Sequence, residues 1–223
     1  MDDLARFCAR MLGDGPAARD AEERARAGAD GERTAMLRAA AAAILQGGEP
    51  GAESPAGATE VRDPTAPAIH DSGAEDRTTD PAGLSAAVAR ELAAASGRLP
   101  MAQQEVLALR ELLRLSYDEI AGVAGVEADA VPVLLARARL DLRTELRGAG
   151  APQPACDERE RALRTIARRQ DGESVPPADE DWLIEHLGHC RGCRQAHAAM
   201  LEASACYRAW APPEVPADPV AGS

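Results

Sequence analysis

The run His186-Leu187-Gly188-His189-Cys190-Arg191-Gly192-Cys193 sets a His-x3-Cys-x2-Cys spacing near the end of the chain, and no other feature constrains the fold as much. On a helix, His186 and Cys190 lie one turn apart and Cys193 falls on the next turn, so three ligand atoms converge. A structural Zn(2+) takes four N or S ligands in a tetrahedron, and Cys156, just after the break GAGAPQPA, is the best-placed fourth. Cys156, His186, Cys190 and Cys193 are the expected zinc ligands. His189 or His197 are alternatives to His186 or Cys156, and a Cys-x2-Cys pair is also the spacing of a redox dithiol. A catalytic zinc is disfavoured, because four protein ligands leave no open position and the chain has no His-Glu-x2-His pattern. The chain is therefore expected not to be an enzyme and to have no small-molecule substrate. Cys206, beside Tyr207 and Trp210, reads as a packing residue.

Upstream of this run, Ala- and Leu-rich blocks alternate with Gly/Pro-rich breaks. Aromatic residues make up only 2% of the chain, so its cores must be built from Leu, Val, Ile and Ala on thin helices. The expected fold is all-α: small helical domains joined by disordered linkers, including a helix-turn-helix and a zinc-binding helical module. Residues 1–46 form a helical segment with room for two or three short helices. Residues 47–83 lack apolar periodicity and are rich in Gly, Pro, Ser and acid, which marks a disordered linker. Residues 84–148 are the most strongly patterned stretch, 149–155 a second linker, 156–210 the zinc-binding block and 211–223 a disordered tail.

The net charge of -12 repels nucleic acid unless basic residues gather on one face. There is no basic segment leading into an apolar one at the start, and no apolar run long enough to cross a bilayer. A soluble, cytoplasmic protein without a membrane partner is expected.

Within the patterned stretch, Ser116 can cap a helix while Glu119 reaches back to its amide, and Leu115 can staple against Ile120. That helix meets Gly125, which suits the left-handed position after a C-cap. A second helix, from about 127 to 146, aligns Val131, Leu135, Ala138 and Leu142 in one buried stripe. Two helices joined by a Gly turn make a helix-turn-helix.

The stretch LPMAQQEVLALRELLRLSYDEIAGVAGVEADAVPVLLARARLDLRTEL resembles region four of the extracytoplasmic-function sigma factors. The resemblance is carried by Leu99-Pro100, Gln104-Glu105-Val106-Leu107, Leu109-Arg110, Ser116-Tyr117, Glu119-Ile120-Ala121, Gly125, Val131 and Arg137-Ala138-Arg139. It implies a domain that reads the minus-thirty-five promoter element and touches the flap of RNA polymerase, so promoter DNA and RNA polymerase core are the implied partners. Where that family places polar or basic residues after the helix-starting valine, this chain has Pro132, Val133 and Leu134, which cannot bond base edges or phosphates. Glu127 and Asp129 sit at the same end. The arginines Arg137, Arg139 and Arg143, with Arg147, remain as candidate phosphate contacts. Alternatively they form a solvated face paired with Asp141 and Glu145, or the Pro-Val-Leu-Leu face binds a protein.

LARFCARMLGDGPAARDAEERARA resembles the start of sigma region two, with MLRAAAAAIL as a shortened remainder. Region two melts promoters by stacking flipped bases on aromatic rings, worth about 1 to 3 kcal/mol per base. No aromatic residue occurs between Phe7 and Tyr117, so the segment lacks that means; an Ala-rich helical hairpin is the alternative. The order Cys156, helix, His-x3-Cys-x2-Cys resembles the zinc-containing anti-sigma domain, in which zinc loss can accompany disulfide formation. Together these resemblances imply a regulator of bacterial transcription initiation: a sigma-like helix-turn-helix modulated by a fused zinc module. The alternative is an adaptor that binds another sigma factor and does not contact DNA.

Overall fold

The computed structural model describes residues 3–13, 15–28, 33–47, 86–148, 150 and 154–210, and among them every regular element is helical. The expected tail, nearly all of the expected 47–83 linker and most of the 149–155 linker lie outside the described residues. No helix among the described residues is long and apolar enough to cross a membrane.

Three helices form the N-terminal segment: α1 (Asp3–Leu12), α2 (Pro16–Gly28) and α3 (Arg33–Gly47). Phe7, the chain's one phenylalanine, is fully buried, and Leu4, Ala21, Ala25, Leu37, Ala40 and Ile44 belong to the same core. With alanine at so many contacts the helix backbones can approach closely, which compensates in part for the scarcity of large side chains.

The helix-turn-helix region follows, with α4 (Ala86–Gly97), α5 (Met101–Leu107), a π-helical turn (Ala108–Leu112), α6 (Tyr117–Ala124), a 3-10 turn (Ala128–Ala130) and α7 (Val131–Arg147). The expected capping box is present: Ser116 Oγ accepts from the Glu119 amide at 3.3 Å, and the Ser116 amide donates to Glu119 Oε2 at 2.8 Å. The chain leaves α6 through Gly125 at φ 69° and ψ 32°, a left-handed conformation that glycine adopts without steric cost. Leu115 and Ile120 are both buried in the core beneath.

On α7, the expected stripe of Val131, Leu135, Ala138 and Leu142 is completely buried. The helix also buries Pro132, Ala136, Arg139 and Leu140, so it faces a core on more than one side. A helix covered this way is an interior element, whereas a helix that enters a DNA groove needs an open polar face.

The second cover comes from α8 (Arg159–Asp171), α9 (Pro177–His189) and α10 (Arg191–Ala209). Ala136 and Leu140 of α7 join Ala162, Leu163, Ile166 and Ala167 of α8, Leu183 of α9, and Ala196 and Met200 of α10 in one apolar cluster. The other cluster runs from the N-terminal helices through α7 and takes in Ala203 and Tyr207 from the end of α10. The blocks separated in the sequence by linkers thus pack together, with α7 as the wall common to both cores.

One contact joins the two ends. Arg10 of α1 inserts beside the last turn of α10, its guanidinium carbon 3.5 Å from the Trp210 ring centroid and 4.8 Å from that of Tyr207, and it donates to the Trp210 carbonyl. Burial lowers the Arg10 pKa to about 10, which still leaves it cationic at neutral pH.

Candidate functional site

Four side chains converge at the corner between α9 and α10. Cys156 precedes α8, His186 lies in the last turn of α9, Cys190 stands at the break between α9 and α10, and Cys193 lies in the first turn of α10. Their ligand atoms all lie within 4.8 Å of one another. His186 Nε2 is 3.3 Å from Cys193 Sγ and 3.7 Å from Cys156 Sγ, and the two sulfurs are 3.6 Å apart. Metal–ligand bonds of about 2.0–2.3 Å place tetrahedral ligands roughly 3.5–3.8 Å from each other, so these separations suit a common metal ion. None of the four ligand candidates is in a disulfide.

Sequence spacing placed His186, Cys190 and Cys193 on successive turns of one helix. The helix is instead broken at Cys190, whose φ of -88° and ψ of 99° are extended, so the ligands bracket a corner between two helices. The corner lets the loop before α8 reach in. A side chain at position 192 would meet the Pro154 backbone at 3.4 Å, and Gly192 makes room for the segment that delivers Cys156. His189 is exposed and His197 half-buried, and neither belongs to the cluster.

The surroundings hold the ligands in place. Trp182 stacks on the His186 ring, with centroids 4.8 Å apart, and the Arg161 guanidinium lies 4.0 Å above Trp182 while pairing with Asp179 at 2.7 Å. A hydrogen bond from the Cys193 amide pulls the Cys190 thiol pKa down. Burial pushes the Cys193 thiol up, reinforced by its hydrogen bonds with Cys156 and Cys190. Bringing thiolates this close without a cation is costly, and a bound metal would replace the protons.

The candidate phosphate contacts on α7 lie elsewhere, and none pairs with Asp141 or Glu145. Asp141 accepts from Gln103 at 2.8 Å, and Glu145 from Arg98. Carboxylates of the C-terminal helices take the arginines instead. Exposed Arg137 donates to Glu160 of α8 at 3.2 Å, and Arg143 donates to Glu202 of α10 at 3.1 Å, which Arg147 shares. Because α7 is sandwiched, acids on neighbouring helices outcompete those one turn away on its own surface.

Arg147 first, then Arg143, hold the Glu202 carboxyl below the usual carboxylate range. The stabilisation from this pair is complete above the unfolded value of roughly 4.3 and fades as the pH falls through the folded value.

Arg139 departs furthest from the expectation of a surface phosphate contact, being fully buried. Its Nε and Nη2 donate to Glu111 Oε1 at 2.8 and 2.6 Å, and its Nη1 and Nη2 donate to Asp171 at 3.1 and 2.7 Å. Tyr117 donates to Asp171 Oδ2 at 2.7 Å, and Arg110 donates to the Asp171 carbonyl. Ser204 and Arg208 of α10 donate to the two Glu111 oxygens, each at 2.7 Å. Burial works against the charge on Arg139, but Glu111 and Asp171 outweigh it and its pKa is raised. Burial, then Asp171, pushes the Tyr117 phenol up, so it stays a donor.

Glu111, Asp171, Glu160 and Glu202 do not stand out in the sequence as partners of these arginines. The one local sign was Arg110-Glu111 inside the apolar run LALRELLRL, where charges that cannot all face water invite buried partners. The Pro132–Leu135 surface, offered for DNA or a protein partner, is largely covered: Pro132 and Leu135 are buried and Leu134 packs on the first core.

The fold from α4 to α7 and its capped turn form a helix-turn-helix, followed by a helical module with a Cys/His cluster able to hold a metal ion. Residues 89–142 match the family described as Sigma-70, region 4, a span that begins in α4 and ends within α7. No curated protein and no solved structure matches the chain.

Proposed function

We propose that this chain regulates bacterial transcription initiation: its region-four helix-turn-helix engages promoter DNA and RNA polymerase core, and its C-terminal helices form a zinc module that restrains that engagement. The observation that carries this reading is the pairing of Arg137, Arg139 and Arg143 with Glu160, Asp171 and Glu202, all from α8 and α10. Carboxylates occupy the arginines that phosphates would otherwise meet, so DNA must displace the module to bind.

Zn(2+) is the metal that best suits three sulfurs and one imidazole nitrogen at tetrahedral spacing. It would be held by Cys156, His186, Cys190 and Cys193 and would act structurally, tying the segment before α8 to the α9–α10 corner. With four protein ligands it would leave no position for a substrate, so the proposed role is regulatory and not enzymatic. Capture of another sigma factor is the weaker reading, because the surface formed by α8 and α10 is already covered by this chain's own α7.

Neutralising Glu160→Gln and Glu202→Gln together in the full chain tests the restraint without adding positive charge. Affinity for a duplex carrying a minus-thirty-five element, or for RNA polymerase core, should rise about tenfold, equivalent to ~1.4 kcal/mol. The control Asp181→Asn with Glu185→Gln changes the net charge equally on exposed positions of α9 and should leave both affinities unchanged. Equal behaviour of the two double variants would sink the restraint.

A further inference from the structure

The buried network has an asymmetry. Arg139 presents two bidentate edges, and the one formed by Nε and Nη2 is filled from within the helix-turn-helix by Glu111. The other edge, formed by Nη1 and Nη2, is filled from outside by Asp171, the last residue of α8. Tyr117, the first residue of α6, aims its hydroxyl at the same carboxylate, and Arg110 of the π-helical turn approaches it with Nε at 3.6 Å. Three separate elements of the region-four span therefore direct donors at one point, and the acceptor there belongs to the module.

We propose that Arg139, Tyr117 and Arg110 form an oxyanion site of the helix-turn-helix, occupied in the closed chain by the Asp171 carboxylate and suited to a phosphate group when α8 withdraws. This rests on the reading of α8–α10 as a restraint and gives it a chemical basis, since Asp171 and the phosphate compete for the same donors. The charges are consistent with that exchange. Glu111 neutralises Arg139 whether or not Asp171 is present, while the second guanidinium edge and the phenol would be left without an acceptor and in need of an anion; Arg110, which also donates to the Leu115 carbonyl and pairs with Glu173 at 3.0 Å, adds a cation beside them. In helix-turn-helix complexes the first helix crosses the DNA backbone, so a phosphodiester is one source of the group and free phosphate is the other.

The test empties the site in the full, metal-loaded chain with Asp171→Ala. Inorganic phosphate, compared with chloride at equal ionic strength, should raise the melting temperature of Asp171→Ala saturably and leave the wild type unmoved. Adding Tyr117→Phe should abolish most of that response. Asp171→Asn retains the shape of the aspartate and serves if the alanine variant does not fold. Duplex DNA distinguishes the sources. A rise of about tenfold in affinity, with a log–log salt dependence steeper by about one, assigns the site to the nucleic-acid backbone. Phosphate rescue with no gain for duplex assigns it to a free oxyanion. No saturable phosphate response and no duplex gain in either Asp171 variant overturns the site. If the Glu160→Gln, Glu202→Gln chain still gains duplex affinity in that case, the restraint stands and only the pocket is lost.

Discussion

Arg139→Met should destabilise the protein by about 3–5 kcal/mol, although the residue lies on the helix where a DNA contact was expected. Glu111 and Asp171 are almost fully buried, with side-chain exposures of 2% and 4%, and among the described residues Arg139 is the one cation that bonds both carboxylate groups. Methionine would fill much of the volume but supply none of the four bonds. Glu111 would keep Ser204 and Arg208, and Asp171 would keep Tyr117 and Arg110, so the loss should fall toward the lower end of that range. Urea unfolding checks it. A loss under 1 kcal/mol would mean that Arg139 is solvated and that α8 does not cover it. Adding Asp171→Leu should recover part of the stability, because the second variant removes the carboxylate that the first left short of a partner.

Cys193→Ser should have a still larger effect, confined at first to the C-terminal helices. The cluster that α8, α9 and α10 make with α7 is rich in alanine, with Leu140, Leu163, Ile166, Leu183 and Met200 supplying the bulk. A helical unit this short buries too little apolar surface to order itself well, and structural zinc typically contributes roughly 10–16 kcal/mol of apparent binding energy in small folds. Cys193 is fully buried, and its replacement removes one ligand from the middle of the set. Native mass spectrometry should find one zinc per wild-type chain and none in the variant, and circular dichroism should show lost helix that chelation of the wild type reproduces. Retention of helix after the metal is removed would show that the apolar cluster suffices alone.

The parts of the fold that were legible in the sequence are those specified locally. The Ser116–Glu119 box, Gly125 and the Val131, Leu135, Ala138, Leu142 stripe each need only a few neighbouring residues to define them, and each is present. His186, Cys190 and Cys193 were legible because their spacing is short-range, and Cys156 by its place just after the Pro-rich break, while the helix break at Cys190 that shapes the cluster was not. The cover on α7 was hidden for a different reason. Ala136 and Leu140 look unremarkable in an Ala-rich helix that already has a complete apolar stripe, and only a packed α8 and α10 turn them into a second one. Arg139 was read as a surface residue because its partners Glu111 and Asp171 lie far from it in the chain. The docking of Arg10 on Trp210 spans 200 positions and leaves no local trace.

Hydrogen exchange along α7, compared between the metal-loaded wild type and the same chain after chelation, tests most directly whether a metal-held module covers the recognition helix. Cover of this kind predicts that amides of Val131–Arg147 lose protection together with those of α8 and α10 when the metal leaves, while α5 and α6 keep theirs. Loss of protection confined to residues 154–195, with α7 unchanged, would contradict it, showing that the metal orders its own corner and has no hold on the helix-turn-helix.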